Sequence, residues 1–279
     1  MNPRLSWDAA ARALLISAIL TLPVAAQEAP NMDAATHPSG GTTYLREQFR
    51  FHRYGSGPGT DADRTDRLEA ITTLSYGLRH DLAVILAAPL ERTSSDAPPG
   101  GESSGLSDPE LMLKLRVHKR DTAAVDTLRV SLLAGAELPL GRSELSSDSV
   151  DPFAGAVATI IRGRHGFNVG ARYTINTDGA ALNLGGEGGA DAIRLDASHL
   201  FRLSPADWSE SSDAAIYSVV ELNTTWETSG DVEPVLSPGL LYEAKRWALE
   251  LSVRLPVLGN VDERPELDWG LVAGIRVRF

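Results

Sequence analysis

Apolar and polar residues alternate with a period of two along most of the chain after residue 42. Successive side chains of an extended strand point to opposite faces, so this pattern predicts strands with one apolar and one polar face. Over Thr43 to Tyr54, Leu45, Phe49 and Phe51 share one face, and Arg46, Gln48, Arg50 and His52 share the other. Over Arg67 to Leu78, Leu68, Ala70, Leu74, Tyr76 and Leu78 fall together. The same reading places strands at Leu82 to Arg92, Glu110 to His118, Thr127 to Leu140, Phe153 to Ile161, Phe167 to Asn176, Ala192 to Leu203, Ala215 to Thr228, Glu233 to Glu243, Arg246 to Val257 and Asp268 to Phe279. That makes about twelve.

The connections between these strands alternate in length. Those near residues 55–66, 93–109, 141–152, 177–190 and 257–267 are long and the one near 230 is short, whereas the intervening turns near 79, 164 and 245 are tight, with longer ones near 122 and 208. A soluble sandwich has no reason for such alternation. An up-and-down barrel in a bacterial outer membrane has long extracellular loops and short periplasmic turns. A tilted strand crosses the hydrocarbon layer in roughly 9–11 residues, and closing the sheet pairs every backbone group that lipid would leave unsatisfied. The expected fold is therefore all-β, an antiparallel up-and-down transmembrane β-barrel of outer-membrane type over residues 43–279. The last segment, "LVAGIRVRF", reads as the closing strand, with Arg276 and Arg278 turned inward and Phe279 at the periplasmic interface. Tyr44, Tyr76, Trp226, Tyr242 and Trp247 are candidates for the interfacial aromatic girdles.

The N-terminal region changes the picture in two ways. Residues 1–26 carry Arg4 and Arg12 ahead of an apolar run and then small residues, as a secretory signal peptide does, with cleavage expected after Ala26. Residues 27–42 lack periodicity and are rich in small, polar and turn-forming residues, so a disordered periplasmic leader is expected there. The sequence has no cysteine, so stability must come from something other than disulfides, and a closed sheet supplies it. The net charge of −11 and the lack of a basic tract give no support to a nucleic-acid partner.

Six stretches in order resemble an outer-membrane family named for the meta-pathway of phenol degradation: "AAPLER" at 87–92, "GLSDPELMLKLRV" at 105–117, "LLAGAELPLGR" at 132–142, "GFNVGARYTIN" at 166–176, "VVELNTTWE" at 219–227 and "LSPGLLYEAKRWALELSVRLPV" at 236–257. Leu140 stands where the family pattern has threonine. The resemblance implies a barrel and a channel or transporter for passive passage of small hydrophobic or aromatic molecules, with no cofactor. It also implies that the terminal aromatic, Phe279, is the signal read by the outer-membrane assembly machinery. Outer-membrane lipid and lipopolysaccharide are the other expected partners.

The inward-facing polar residues define the candidate solute pathway: Lys114, Arg116, Glu137, Arg172, Glu221, Asn223, Glu250, Arg254 and Arg276. A network of ion pairs filling a narrow lumen is the competing account, because a buried unpaired charge is expensive. Catalysis is not expected. His118 facing Ser131 or Glu137 across the sheet is the nearest approach to a base beside a nucleophile, and His80, Asp81 and His165 lie in turns. No metal site is expected either: "TDADRTD", with Asp61, Asp63 and Asp66, lacks the glycine and the glutamate of a calcium loop. "LGGEGGAD" at 184–191 reads as a flexible extracellular loop. A structural or adhesive barrel with a sealed lumen remains open as a second reading, and a barrel enzyme acting on lipid as a third.

Overall fold

The computed structural model describes residues 27–55, 64–96, 101–123, 125–177, 184–209 and 212–279. The expected signal peptide and its cleavage point lie outside these residues, as do Asp61 and Asp63. Thirteen strands form one antiparallel sheet: β1 (Thr43–Gly55), β2 (Thr65–Gly77), β3 (Leu82–Ser95), β4 (Gly101–Leu106), β5 (Glu110–Asp121), β6 (Thr127–Glu137), β7 (Asp151–Arg162), β8 (His165–Thr174), β9 (Ala192–Ser204), β10 (Ala214–Glu227), β11 (Val232–Ala244), β12 (Trp247–Pro256) and β13 (Glu266–Arg278).

The sheet closes between its first and last strands. β1 pairs β13 from Tyr44↔Arg278 to Gly55↔Glu266, and Phe279 N–H donates to Thr43 O at 2.9 Å. The wall thereby closes on itself, as backbone groups in lipid require. The chain is thus an antiparallel up-and-down transmembrane β-barrel of outer-membrane type whose wall has twelve strand positions. β4 and β5 share one of them. β4 pairs β3 over Leu90↔Leu106 to Ser95↔Gly101, and β5 pairs β3 over Ala87↔Glu110 to Leu82↔Leu115. Pro109, which has no N–H to give, marks the break between them. β4 falls inside the expected loop 93–109 because "GESSGL" shows no apolar alternation and is held by backbone pairing to β3 and by polar contacts, Arg92 with Glu102 and Arg142 with Ser104 O.

The alternation sorts side chains as expected. Phe49, Leu68, Leu90, Leu113, Val169, Leu195 and Leu240 are exposed on the outer wall. Tyr76, Trp226 and Trp247 also face outward, and the Tyr242 ring lies tilted against Trp247 with centroids 5.0 Å apart. Tyr44 departs from the expected girdle. It shares the inward parity of Arg46 and lines a lumen cavity with Glu28 and Lys114.

The larger correction concerns residues 27–42, expected to be a disordered leader. From Gln27 to Pro38 most side chains are buried, and the segment lies inside the barrel. It crosses the periplasmic rim at Gly77, where a Cβ would come within 2.1 Å of Ser39 O, so only glycine fits the crossing. Two inward-facing apolar patches receive it. Ala29 and Met32 pack on Leu200, Tyr217, Val219 and Leu241, whereas Ala35 packs among Ile85, Met112, Leu133, Phe153 and Val157.

Candidate functional site in the barrel lumen

An irregular chain inside a barrel must find partners for its backbone polar groups without a sheet of its own. Inward-facing side chains of the wall supply them. Ala35 N–H donates to Thr159 Oγ1 at 2.8 Å, and its carbonyl accepts from Ser131 Oγ at 3.0 Å. Pro30 O accepts from Gln48 Nε2 at 2.9 Å and from the Arg46 guanidinium at 3.0 Å. Arg194 donates to Asn31 O. Because Ser131 is occupied in this way and His118 is exposed, the two do not form a catalytic pair.

Glu221 is the central seat. It is fully buried at mid-height on β10 and accepts Asn31 N–H at 3.0 and 3.2 Å and Asn31 Nδ2–H at 2.8 Å. Asn31 Nδ2 also donates to Ser252 Oγ at 3.0 Å. Glu250 does not touch the segment directly. It takes two hydrogen bonds from Arg46, at 2.9 and 2.8 Å, and one from Gln48 at 2.6 Å, so it aims the donors that hold Pro30.

Two ion pairs clamp the flanks. Asp33 Oδ1 lies 2.8 Å from Lys114 Nζ, and Glu28 pairs with Arg276. Burial pushes both carboxyls up, but the cations outweigh it. Arg276, Lys114 and Arg46 hold Glu28 below the ordinary carboxylate range, and Lys114, Arg172 and Arg194 do the same for Asp33. A carboxyl whose pKa is lower in the seated state favours seating while ionised. That contribution is complete above the ordinary carboxylate range and fades as pH falls through it toward the lowered values. Acidification below about pH 4 is therefore expected to loosen the segment. Access of a charged thiol reagent to Ala34→Cys, whose side chain makes none of these polar contacts, should rise as pH falls below about 4, with the reagent's own pH dependence subtracted; a rise only on the alkaline side would contradict this assignment.

Above the segment, toward the extracellular end, lies a cavity of about 280 Å³. Its walls carry Arg67, which contacts Glu91 and Glu187 at 2.8 Å and Glu69 at 3.4 Å, and Arg172, which pairs with Glu110 at 2.5 Å and covers the Phe153 ring. Leu184 is buried against Tyr54, Val235 and Leu267. Residues 184–191, expected as a flexible loop, therefore fold into the mouth, fixed by Leu184 and by Glu187 on Arg67.

The structure brings together most of the residues singled out from sequence, in two groups. Lys114, Glu221, Asn223, Glu250 and Arg276 surround the inserted segment; Asn223 links Asp196, at 2.7 Å, to Asn31 O. Glu137, Arg172 and Arg254 line the upper cavity. Arg116 joins neither group, because its guanidinium donates to His80 O at the periplasmic rim. Phe279 is 73% exposed beyond the end of β13, outside the lumen. Sequence reasoning missed Glu28, Asn31 and Asp33. The one signal for them was an excess of inward cations, Lys114 and Arg276 among them, without acidic neighbours on their own strands. Among the described residues no group of three or more His, Asp or Glu side chains is placed to hold a metal ion.

No family model matches the chain, and no curated protein matches it. Solved structures do. The COG4313 outer membrane channel from Pseudomonas putida F1 is similar with a TM-score of 0.60 and 15% identity, covering 90% of this chain and 100% of that one. The translocator domain of the autotransporter NalP from Neisseria meningitidis is similar with a TM-score of 0.47 and 11% identity, covering 98% of each chain. The KdgM porin in complex with disordered oligogalacturonate is similar with a TM-score of 0.42 and 12% identity, covering 85% of this chain and 99% of that one. At such identities the likeness of the first establishes the fold.

Proposed function

We propose that the chain is an outer-membrane channel closed from within by residues 27–40, which passes small, largely apolar or aromatic molecules when that segment leaves its seat. The observation that carries the proposal is the chemistry of the seat. Its polar contacts are hydrogen bonds and ion pairs that water can replace, so the emptied lumen remains a tolerable state. Emptying it also uncovers the two apolar patches around Leu200 and Val157, which a purely aqueous pore would not carry. These patches support a hydrophobic solute, in line with the sequence resemblance to the phenol meta-pathway family. The name of the COG4313 structure, a channel, agrees with this reading.

The test is planar-bilayer conductance and solute flux of the refolded protein with and without residues 28–40. The intact barrel should be silent for most of the record. The deleted barrel should show discrete steps and admit phenol, used as a neutral aromatic probe. A deleted barrel that folds and stays silent would favour the second reading, a sealed structural barrel whose loops are the working surface.

A further inference from the structure

We propose that the extracellular cavity is a binding site for a single-ring aromatic monocarboxylate. The proposal deepens the channel reading and rests on it for the site's purpose, although binding itself is measured separately.

In the same band of the lumen Arg46, Arg67, Arg172 and Arg194 each hold an acidic partner. Among the described residues Arg50 and Arg254 have no carboxylate at ion-pair distance; Glu69, which stands opposite Arg50 across β1 and β2, is shared by Arg67 and His52. Arg50 donates to Gln48 Oε1 at 2.8 Å and Arg254 to His52 Nε2 at 3.0 Å, while the Nε of each is buried and unpartnered. A buried guanidinium with idle donors carries a desolvation penalty that an anion would relieve.

His52 fixes the arrangement. A guanidinium has only donors, so His52 Nε2 accepts from Arg254 and the imidazole proton sits on Nδ1, 3.4 Å from Glu69 Oε2. The ring is neutral and does not compete for the anion. His52, Gly270 and Arg254 also lie on one register line across β1, β13 and β12. A Cβ at Gly270 would fall 2.4 Å from His52 Cδ2, so no side chain from β13 intrudes there. The His52 ring lies over that glycine and carries the Arg254 guanidinium on its Nε2.

The rest of the cavity sets the remainder of the ligand. Tyr54, Leu184, Val235 and Leu267 form an apolar wall lining the same space, which suits the flat face of a ring. Glu110 and Glu137 line it from β5 and β6, and Glu137 has no hydrogen-bond or ion-pair partner among the described residues. A second anionic group would meet those carboxylates. The lining carries more carboxylates than arginines, so it takes no more than one carboxylate, set at Arg50 and Arg254 with the ring on the apolar wall.

Isothermal titration of the intact, refolded protein with benzoate tests this. Saturable binding is expected, with benzamide, which lacks the charge, and acetate, which lacks the ring, each at least about tenfold weaker. Arg50→Gln and Arg254→Gln should each weaken benzoate about tenfold, and the double variant should abolish binding. Both substitutions remove an unpaired buried charge, so the fold is expected to survive, which heat-dependent gel mobility and circular dichroism would verify. Gly270→Ala is the second variant: its methyl would meet the His52 ring and displace the Arg254 guanidinium without altering charge, so it should also weaken benzoate. The proposal is overturned if folded protein takes up no benzoate, if benzamide binds as well, or if the double variant binds unchanged. Should benzoate fail while the protein lacking residues 28–40 conducts, only the ligand class is lost. Should benzoate bind while that protein stays silent, the channel reading is lost instead.

Discussion

Glu221→Ala is expected to unseat the inserted segment. The substitution removes the acceptor for both Asn31 N–H and Asn31 Nδ2–H at a site with no exposure to solvent. Leaving buried donors without partners costs on the order of 1–3 kcal/mol for each group. Asn31 Nδ2 keeps Ser252 Oγ, which limits the loss. A net weakening of about 2–4 kcal/mol would shift the ratio of seated to unseated molecules by roughly 30- to 1000-fold. Glu221→Gln keeps one acceptor oxygen of the same reach and should fall between the two. The readout is the rate at which a thiol reagent added from the periplasmic side reaches Ala34→Cys, the only thiol in such a variant because the natural sequence has no cysteine. Labelling as slow in Glu221→Ala as in the parent would show that Glu221 is not the seat.

Arg264→Met should produce the largest loss of stability. The Arg264 side chain is completely buried, with Nε 2.7 Å from Glu227 Oε1 and NH2 3.3 Å from Glu233 Oε2. Glu233 Oε1 in turn accepts Leu267 N–H at 2.7 Å. One guanidinium thus ties the β10–β11 hairpin to the connection before β13. Removing it leaves two buried carboxylates uncompensated, and breaking a buried pair in this way costs about 3–5 kcal/mol. The triple variant Arg264→Met, Glu227→Gln, Glu233→Gln should recover much of that loss, since the penalty comes from the stranded charges. Urea unfolding of the lipid-reconstituted barrel would measure it; a midpoint for Arg264→Met equal to the parent would mean that these carboxylates find water or another cation.

The sequence made the wall readable and left its contents obscure, for a physical reason. A wall strand between lipid and lumen must alternate at every position, so Leu111, Leu113 and Leu115 against Met112, Lys114 and Arg116 announce β5 without any tertiary knowledge. β4 carries no such signal because it is held by backbone pairing to β3 and by polar contacts rather than by an apolar face. Residues 27–42 were harder still. Ala29, Pro30, Asn31 and Ala35 have the small, polar composition of a disordered tail, and what orders them are partners on the wall strands, such as Gln48, Thr159 and Glu221. The inward orientation of Glu221, Asn223 and Glu250 follows from parity. Their task, holding a piece of the same chain, depends on a segment that carries no periodicity.

The central claim is that the position of residues 27–40 decides whether the lumen conducts. Its most direct test uses Glu221→Ala carrying Ala35→Cys and Thr159→Cys, positions joined in the parent by a 2.8 Å hydrogen bond from Ala35 N–H to Thr159 Oγ1. A disulfide there fastens the segment to β7, and reduction frees it. Bilayer conductance of the same molecules is expected to be silent when oxidised and to show discrete steps when reduced, reversibly over repeated cycles. Steps of equal size and frequency in both states would contradict the account, because ions would then pass without the segment leaving its seat.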